Sequence, residues 1–261
     1  MQRILSQHFS PDDIASSWSW TPLLAEDRKS LGRKKLFQGH FYGPLERLIG
    51  RECFCFTILR DPIERALSHY GHVVSDTNHY LHRRALELGS FPAYLEDPIT
   101  RMTVSNFQAR MLAMNVDVAA MFEDLTQEER SGWYLERHIE TTDFGFENNE
   151  ILAAAQERLS KCDVVGLTER FAETLALLCY KCGWPYPSEI QHHNVNKNRP
   201  RQFQLSPDIL QRLVELNETD IALYHIACNV FEGDFHQILA EMISSRCRTG
   251  IWRTLLGQKR G

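Results

Sequence analysis

The chain has 261 residues, 43% hydrophobic and 24% charged, proportions ordinary for a soluble globular protein and long enough for one large α/β domain or two small ones. A formal net charge of -5 excludes a general attraction to nucleic acid, so an anionic ligand would need a local basic site. No apolar run approaches the roughly 20 residues of a membrane span.

Met1 to Phe9 reads as part of a helix without a start signal and is too polar for a signal peptide. Ser10-Pro11-Asp12-Asp13 predicts a strong helix start. Lys34 to Gln38 predicts a short strand ending at Gly39-His40, and Gly43-Pro44 opens a short helix. Cys53 to Leu59 is apolar and β-prone with little alternation, which predicts a strand covered on both faces. It stops at Arg60. Asp61 can cap the helix that follows and Pro62 suits its first position, where no N–H is needed. From 61 to about 121 the pattern is helical, with breaks at Ser90-Phe91-Pro92 and Asp97-Pro98 among others. Residues 122–148 read as polar and irregular, and Asn149 starts a helix to Ser160.

The strand-turn-helix pattern then recurs. Asp163 to Leu167 predicts a short strand, Thr168 a cap, and a helix follows to Cys182. Residues 184–205 form a loop rich in Pro, Asn and basic side chains. Ser206-Pro207-Asp208 caps a helix to about 216, and Asn217 to about 242 gives one or two more. Few strands, many helices and strand ends that feed helices predict a mostly parallel sheet covered by helices. Residues 1–245 are expected to form one domain. Residues 246–261 read as a tail with five basic residues and no acidic one.

Seven cysteines is an odd number, and their spacing suggests no disulfide framework. Cys53, Cys55 and Cys228 fall in expected core segments, and a reducing cytoplasm fits this usage. Cys179-x-x-Cys182 lacks the second pair a zinc site wants, so buried thiols are favoured over metal. His69, His72, His79 and His82 make an H-x-x-H pair repeated ten residues later. No acidic residue completes a metal pattern, and chance pairing is favoured.

The sharpest motif is Arg60-Asp61-Pro62-x-x-Arg65-x-x-Ser68. Arg60 lies at the carboxyl end of a parallel strand, where ligands bind in open α/β sheets. A guanidinium beside a helix N-terminus suits a phosphate. Arg65 and Ser68 share a helix face, so an arginine and a hydroxyl can converge there. The plainer alternative, an Arg60 paired structurally with a carboxylate and a solvated Ser68, weighs equally on pattern alone. His40, after the expected strand, suits a general base, although a loop histidine bonded to backbone is the commoner case. His192 to Arg201 is a polar, basic loop able to close over an anion.

Together these segments resemble sulfotransferases of the heparan sulfate 2-O-sulfotransferase type, including bacterial members of sulfotransferase family 2. The carrying residues are Gly39-His40-Phe41, Phe56 to Tyr70, Asn106 to Leu112, Val165 to Phe171 and Asn194 to Pro200, in family order. The resemblance implies an α/β, P-loop-like three-layer fold with a mostly parallel central sheet. It implies 3'-phosphoadenylyl sulfate (PAPS) as donor, 3',5'-adenosine bisphosphate (PAP) as product, and no metal. Arg60 and Ser68 match the pair that binds the donor's 3'-phosphate. His40 matches the catalytic base. Asn196 and Lys197 match, more loosely, a loop near the donor. Family members begin with a strand and a Pro-Lys-Thr-like loop that holds the 5'-phosphosulfate and stabilises the leaving oxygen. No such loop occurs in this sequence, so the first strand is expected to be missing and apolar edges beside it exposed. Retention of His40, Arg60 and Ser68 favours a start internal to a longer protein.

The expected function is sulfuryl transfer from PAPS to a hydroxyl of a carbohydrate, in the cytoplasm. The partners are the donor nucleotide and a glycan acceptor, with no nucleic acid. The alternative is a nucleotide- or glycan-binding homologue without catalysis. A metal-dependent hydrolase built on the histidine pairs stands well behind both.

Overall fold

A computed structural model describes residues 1–41, 45–130, 132–143, 145–189 and 200–257. The chain opens with α1 (Gln2–Ser6), α2 (Trp20–Leu24), α3 (Arg28–Leu31) and α4 (Leu45–Ile49). Strand β1 (Phe56–Leu59) feeds α5 (Pro62–Ser75). Short helices follow: α6 (His82–Leu88), α7 (Phe91–Glu96), α8 (Pro98–Met102), α9 (Phe107–Ala113), α10 (Val118–Glu123) and α11 (Tyr134–Thr141). Then α12 (Asn148–Ser160) leads into β2 (Val164–Leu167), which feeds α13 (Phe171–Cys182). Last come α14 (Pro207–Leu216) and α15 (Glu218–Gly257).

The fold is mixed α/β, mostly helical, around a small sheet. β1 and β2 pair in parallel, with Phe56 opposite Val164 and Leu59 opposite Leu167. β2 is buried along its whole length, while β1 is fully buried only at Leu59. The expectation that β1 is covered on both faces is therefore corrected. The Cys55 and Leu59 carbonyls accept from Asp163 and Thr168 N–H on the β2 side, at 2.7 and 2.8 Å. Alternation along a parallel strand turns the amides of Phe56 and Ile58 to the other edge, where no described residue adds a strand.

α13 folds back closely onto β2. A Cβ on Gly166 would stand 2.3 Å from Thr174 Cγ2, so only glycine lets the helix approach. Leu59, Val164, Val165, Leu167, Leu177 and Phe231 are among the side chains that build the core between sheet and helices.

Several local expectations are revised. Ser10 starts only a single 3-10 turn, Pro11–Asp13, because Ile14 turns extended to bridge Leu36. The Lys34–Gln38 strand reduces to that bridge, with Lys35 and Leu36 N–H both bonded to the Asp13 carbonyl. The short helix after Gly43-Pro44 is present from Leu45, while those two residues lie outside the described ones. Residues 122–148 are not wholly irregular. α11 forms there because Leu135 and Ile139 are buried and the buried Glu136 accepts from Thr21 N–H and Oγ1 at 2.8 and 2.6 Å. Thr168 does not cap α13; Arg170 holds that position, and the Thr174 hydroxyl bonds Leu167 instead. Asn217 precedes a single long helix whose backbone runs on to Gly257. Cys53 is exposed, and Cys55 and Cys228 are half-buried, rather than core. No described helix is long and apolar enough to cross a membrane.

Candidate active site

The Arg60 turn forms as its residues dictate. Asp61 accepts from Glu64 N–H at 2.9 Å and Pro62 occupies the first helical turn. Arg60 itself is fixed through its backbone. Its N–H donates to Gln108 Oε1 at 2.9 Å, and Gln108 Nε2 donates to its carbonyl at 2.8 Å. One amide side chain thus takes the two bonds a neighbouring strand would make. Glu169, just after β2, accepts from Asp61 N–H at 3.1 Å and from the Tyr224 hydroxyl at 2.8 Å. The carboxyl ends of both strands therefore meet at this point.

The Arg60 guanidinium, one quarter exposed, sits between two carboxylates. Nη2 is 3.6 Å from Glu64 Oε2 and Nε is 3.9 Å from Glu169 Oε1, both longer than a hydrogen bond. The structural pairing weighed for Arg60 is thus present, but loose. The guanidinium reaches one turn along α5 to Glu64, and Ser68 lies one further turn along the same face. The half-buried Ser68 hydroxyl makes no hydrogen bond to a described residue. Arg65 is turned elsewhere: Nη2 donates to the Thr103 carbonyl at 2.6 Å, and the guanidinium lies 4.5 Å over the Phe107 ring. These contacts pack Arg65 against the segment that leads into α9.

His40 is built onto the Trp18 segment. Its N–H donates to the Trp18 carbonyl at 2.8 Å, and its ring meets the Trp18 indole edge-on, centroids 5.9 Å apart. A Cβ on Gly39 would fall 2.1 Å from the Trp18 carbonyl oxygen, so glycine is what allows the contact. The ring is open to solvent with protein crowded around it. Desolvation, then the nearby His72, lowers its pKa below the ordinary histidine value, which keeps it neutral and able to accept a proton. His69 is half-buried with its Nε2 enclosed; desolvation followed by Arg65 lowers it well below that value, and the Nε2 finds no hydrogen-bond partner among the described residues. His40 is close enough to His69 and His72, on the helix that carries Ser68, to feel their charge.

Asn196 and Lys197 lie outside the described residues. Among the described residues no three His, Cys, Asp or Glu side chains are grouped to hold a metal.

The Asn106–Leu112 segment proves to be a lock. Asn106, left-handed at φ 44°, presents Oδ1 to the N–H groups of Thr219 and Asp220, at 3.0 and 3.1 Å. Asp220, fully buried, returns the bond by accepting from Gln108 and Ala109 N–H at 3.0 and 2.7 Å. Helices α9 and α15 cap one another across the core. This positions Gln108 against Arg60. Trp18, Gln108 and Glu169 are site-building residues that the sequence reading missed. Only their spacing from distant partners would have found them, and one sequence does not show that.

The sulfotransferase family model matches residues 33–226, and the chain belongs to that family. No curated protein matches the chain. Membership implies sulfuryl transfer from a donor nucleotide to a hydroxyl acceptor.

Proposed function

We propose that the protein transfers a sulfuryl group from PAPS to a hydroxyl of a carbohydrate, releasing PAP. Arg60 and Ser68 hold the 3'-phosphate, His40 takes the acceptor proton, and Asn196 and Lys197 lie near the donor. The observation that carries this reading is the Arg60 turn: a guanidinium at a strand's carboxyl end between two carboxylates, with the Ser68 hydroxyl two turns along the helix that follows. A dianionic phosphate can compete with Glu64 and Glu169, at 3.6 and 3.9 Å, for the Arg60 guanidinium through charge-assisted hydrogen bonds. A neutral imidazole supplies general-base chemistry near neutral pH.

Calorimetry with PAP tests the donor half. Arg60→Ala removes a charge-assisted contact worth about 1.5–3 kcal/mol, so affinity should fall about tenfold or more. Equal affinity for the two proteins refutes the assignment. His40→Ala should lose turnover with PAPS and keep PAP binding; retained turnover rejects the base.

The second reading, a homologue that binds nucleotide or glycan without turnover, draws on the open edge of β1, which carries no further strand among the described residues. PAP binding by the wild-type chain, with no sulfuryl transfer across a panel of hydroxyl acceptors, selects it.

A further inference from the structure

Two sulfurs meet across the amino ends of the strands. Cys55 stands just before β1 and Cys162 just before β2, and their Sγ atoms are 3.5 Å apart. They are 107 positions apart in the chain, so tertiary packing alone brings them together. Backbone bonds fix both. Cys55 N–H donates to Asp163 Oδ2 at 2.7 Å, and its carbonyl accepts from Asp163 and Val164 N–H at 2.7 and 3.3 Å. Cys162 N–H donates to the Leu159 carbonyl at 3.0 Å. Both side chains are half-buried, so a small molecule in solvent can reach the pair.

The contact is asymmetric. The hydrogen bond from Cys162 draws the Cys55 thiol below its ordinary value; Arg158 acts in the same direction, while desolvation, Glu46 and Asp163 oppose. The same bond, with desolvation, holds Cys162 above its own. Cys53, two residues upstream and exposed, is raised by desolvation and bonds the Arg51 carbonyl at 3.8 Å. The thiolate is the reactive form of a cysteine, so Cys55 is the attacking sulfur and Cys162 the resolving one.

We propose that Cys55 and Cys162 form a dithiol that a small hydroperoxide oxidises to a disulfide, stapling β1 to β2. The Cys55 sulfur attacks the peroxide and the O–O bond breaks. The Cys55 proton leaves with the departing oxygen, as alcohol or water, and a sulfenic acid remains. Cys162 Sγ then attacks that sulfur. The S–S bond forms, and the hydroxyl departs with the Cys162 proton as water. Two thiols lose two electrons, and one peroxide gains them. The sulfurs already touch, so closure asks for side-chain rotation and leaves the bonded backbones in place. A half-buried sulfur admits a hydroperoxide more readily than a bulky peptide disulfide. The staple closes at the amino ends of the strands, away from Arg60 at the carboxyl end of β1, and is independent of the sulfuryl-transfer reading.

The test treats the reduced full chain with equimolar hydrogen peroxide or, in parallel, oxidised glutathione, followed by tryptic digestion without reductant. Peroxide should join the peptide of residues 52–60 to that of residues 162–170. Cys53→Ser should keep this cross-link, and Cys55→Ser and Cys162→Ser should lose it. In Cys162→Ser the sulfenic acid has no resolving thiol, so dimedone should label Cys55. The oxidised wild type should melt about 5 °C or more above the reduced protein, as closing so long a loop implies, and dithiothreitol should reverse the shift. The proposal is overturned by no cross-link, by one that survives Cys55→Ser or vanishes in Cys53→Ser, by faster closure with oxidised glutathione, by dimedone on another cysteine in place of Cys55, or by an unchanged melting temperature.

Discussion

Arg60, His40 and Gly39 show how much a single residue can reveal by its local chemistry. The Arg60 turn was legible because its signals are adjacent: an apolar run, an acceptor side chain and a proline in successive positions. The partners that fix Arg60 were not, because Gln108 and Glu169 lie far along the chain. Gly39→Ala is expected to lower the melting temperature, since its Cβ would strike the Trp18 backbone, which cannot rotate away as a side chain could. An unchanged melting temperature would show that the segments separate freely. For His40 the direction of the pKa shift sets a pH profile. A base must be neutral to act, and desolvation by the protein crowded around the ring, with His72 nearby, moves its pKa below the ordinary 6.5. The value of kcat/KM should therefore fall with acidification only below about pH 6.5 and stay level above it. A midpoint above 7 would point to another group.

At the scale of elements, the helices with capping residues in their own sequence were legible, as with Ser206 before α14 and Asp61 before α5. α11 was not, because its stability comes from Leu135 and Ile139 packing inward and from Glu136 reaching Thr21, more than a hundred residues away. The exchange between Asn106 and Asp220 is invisible for the same reason: each helix is capped by the other. Asn106→Ala leaves the Thr219 and Asp220 amides unsatisfied in a buried site. Urea unfolding should show a loss of about 1–3 kcal/mol, and PAP affinity should weaken with it, because Gln108 holds Arg60 in place. A stability loss below about 0.5 kcal/mol would show that the amides find other partners.

For the whole molecule, the imidazoles around α5 tie stability to pH. His69 lies well below the ordinary 6.5 and His79 is lowered to about 4, both chiefly by desolvation, with neighbouring cations and histidines adding to it. Below pH 6.5 the unfolded chain takes up protons that the folded one refuses. Stability should therefore be level above about pH 6.5 and decline from there toward pH 4. Asp220, raised by burial, acts in the opposite direction as the pH falls through its own raised pKa. Chemical denaturation of wild type and His79→Gln between pH 4 and 8 checks this: the variant should lose less on acidification, and parallel curves would reject the link. The sheet has a further consequence, in time rather than in energy. Phe56 pairs with Val164, and no other described strand offers β1 an earlier partner. At about 5–20 residues per second a ribosome needs roughly 5–20 s to deliver β2 after β1. During that interval the edge of β1 that β2 will pair waits open, and it depends on helix α5 or a chaperone to shield it until synthesis catches up.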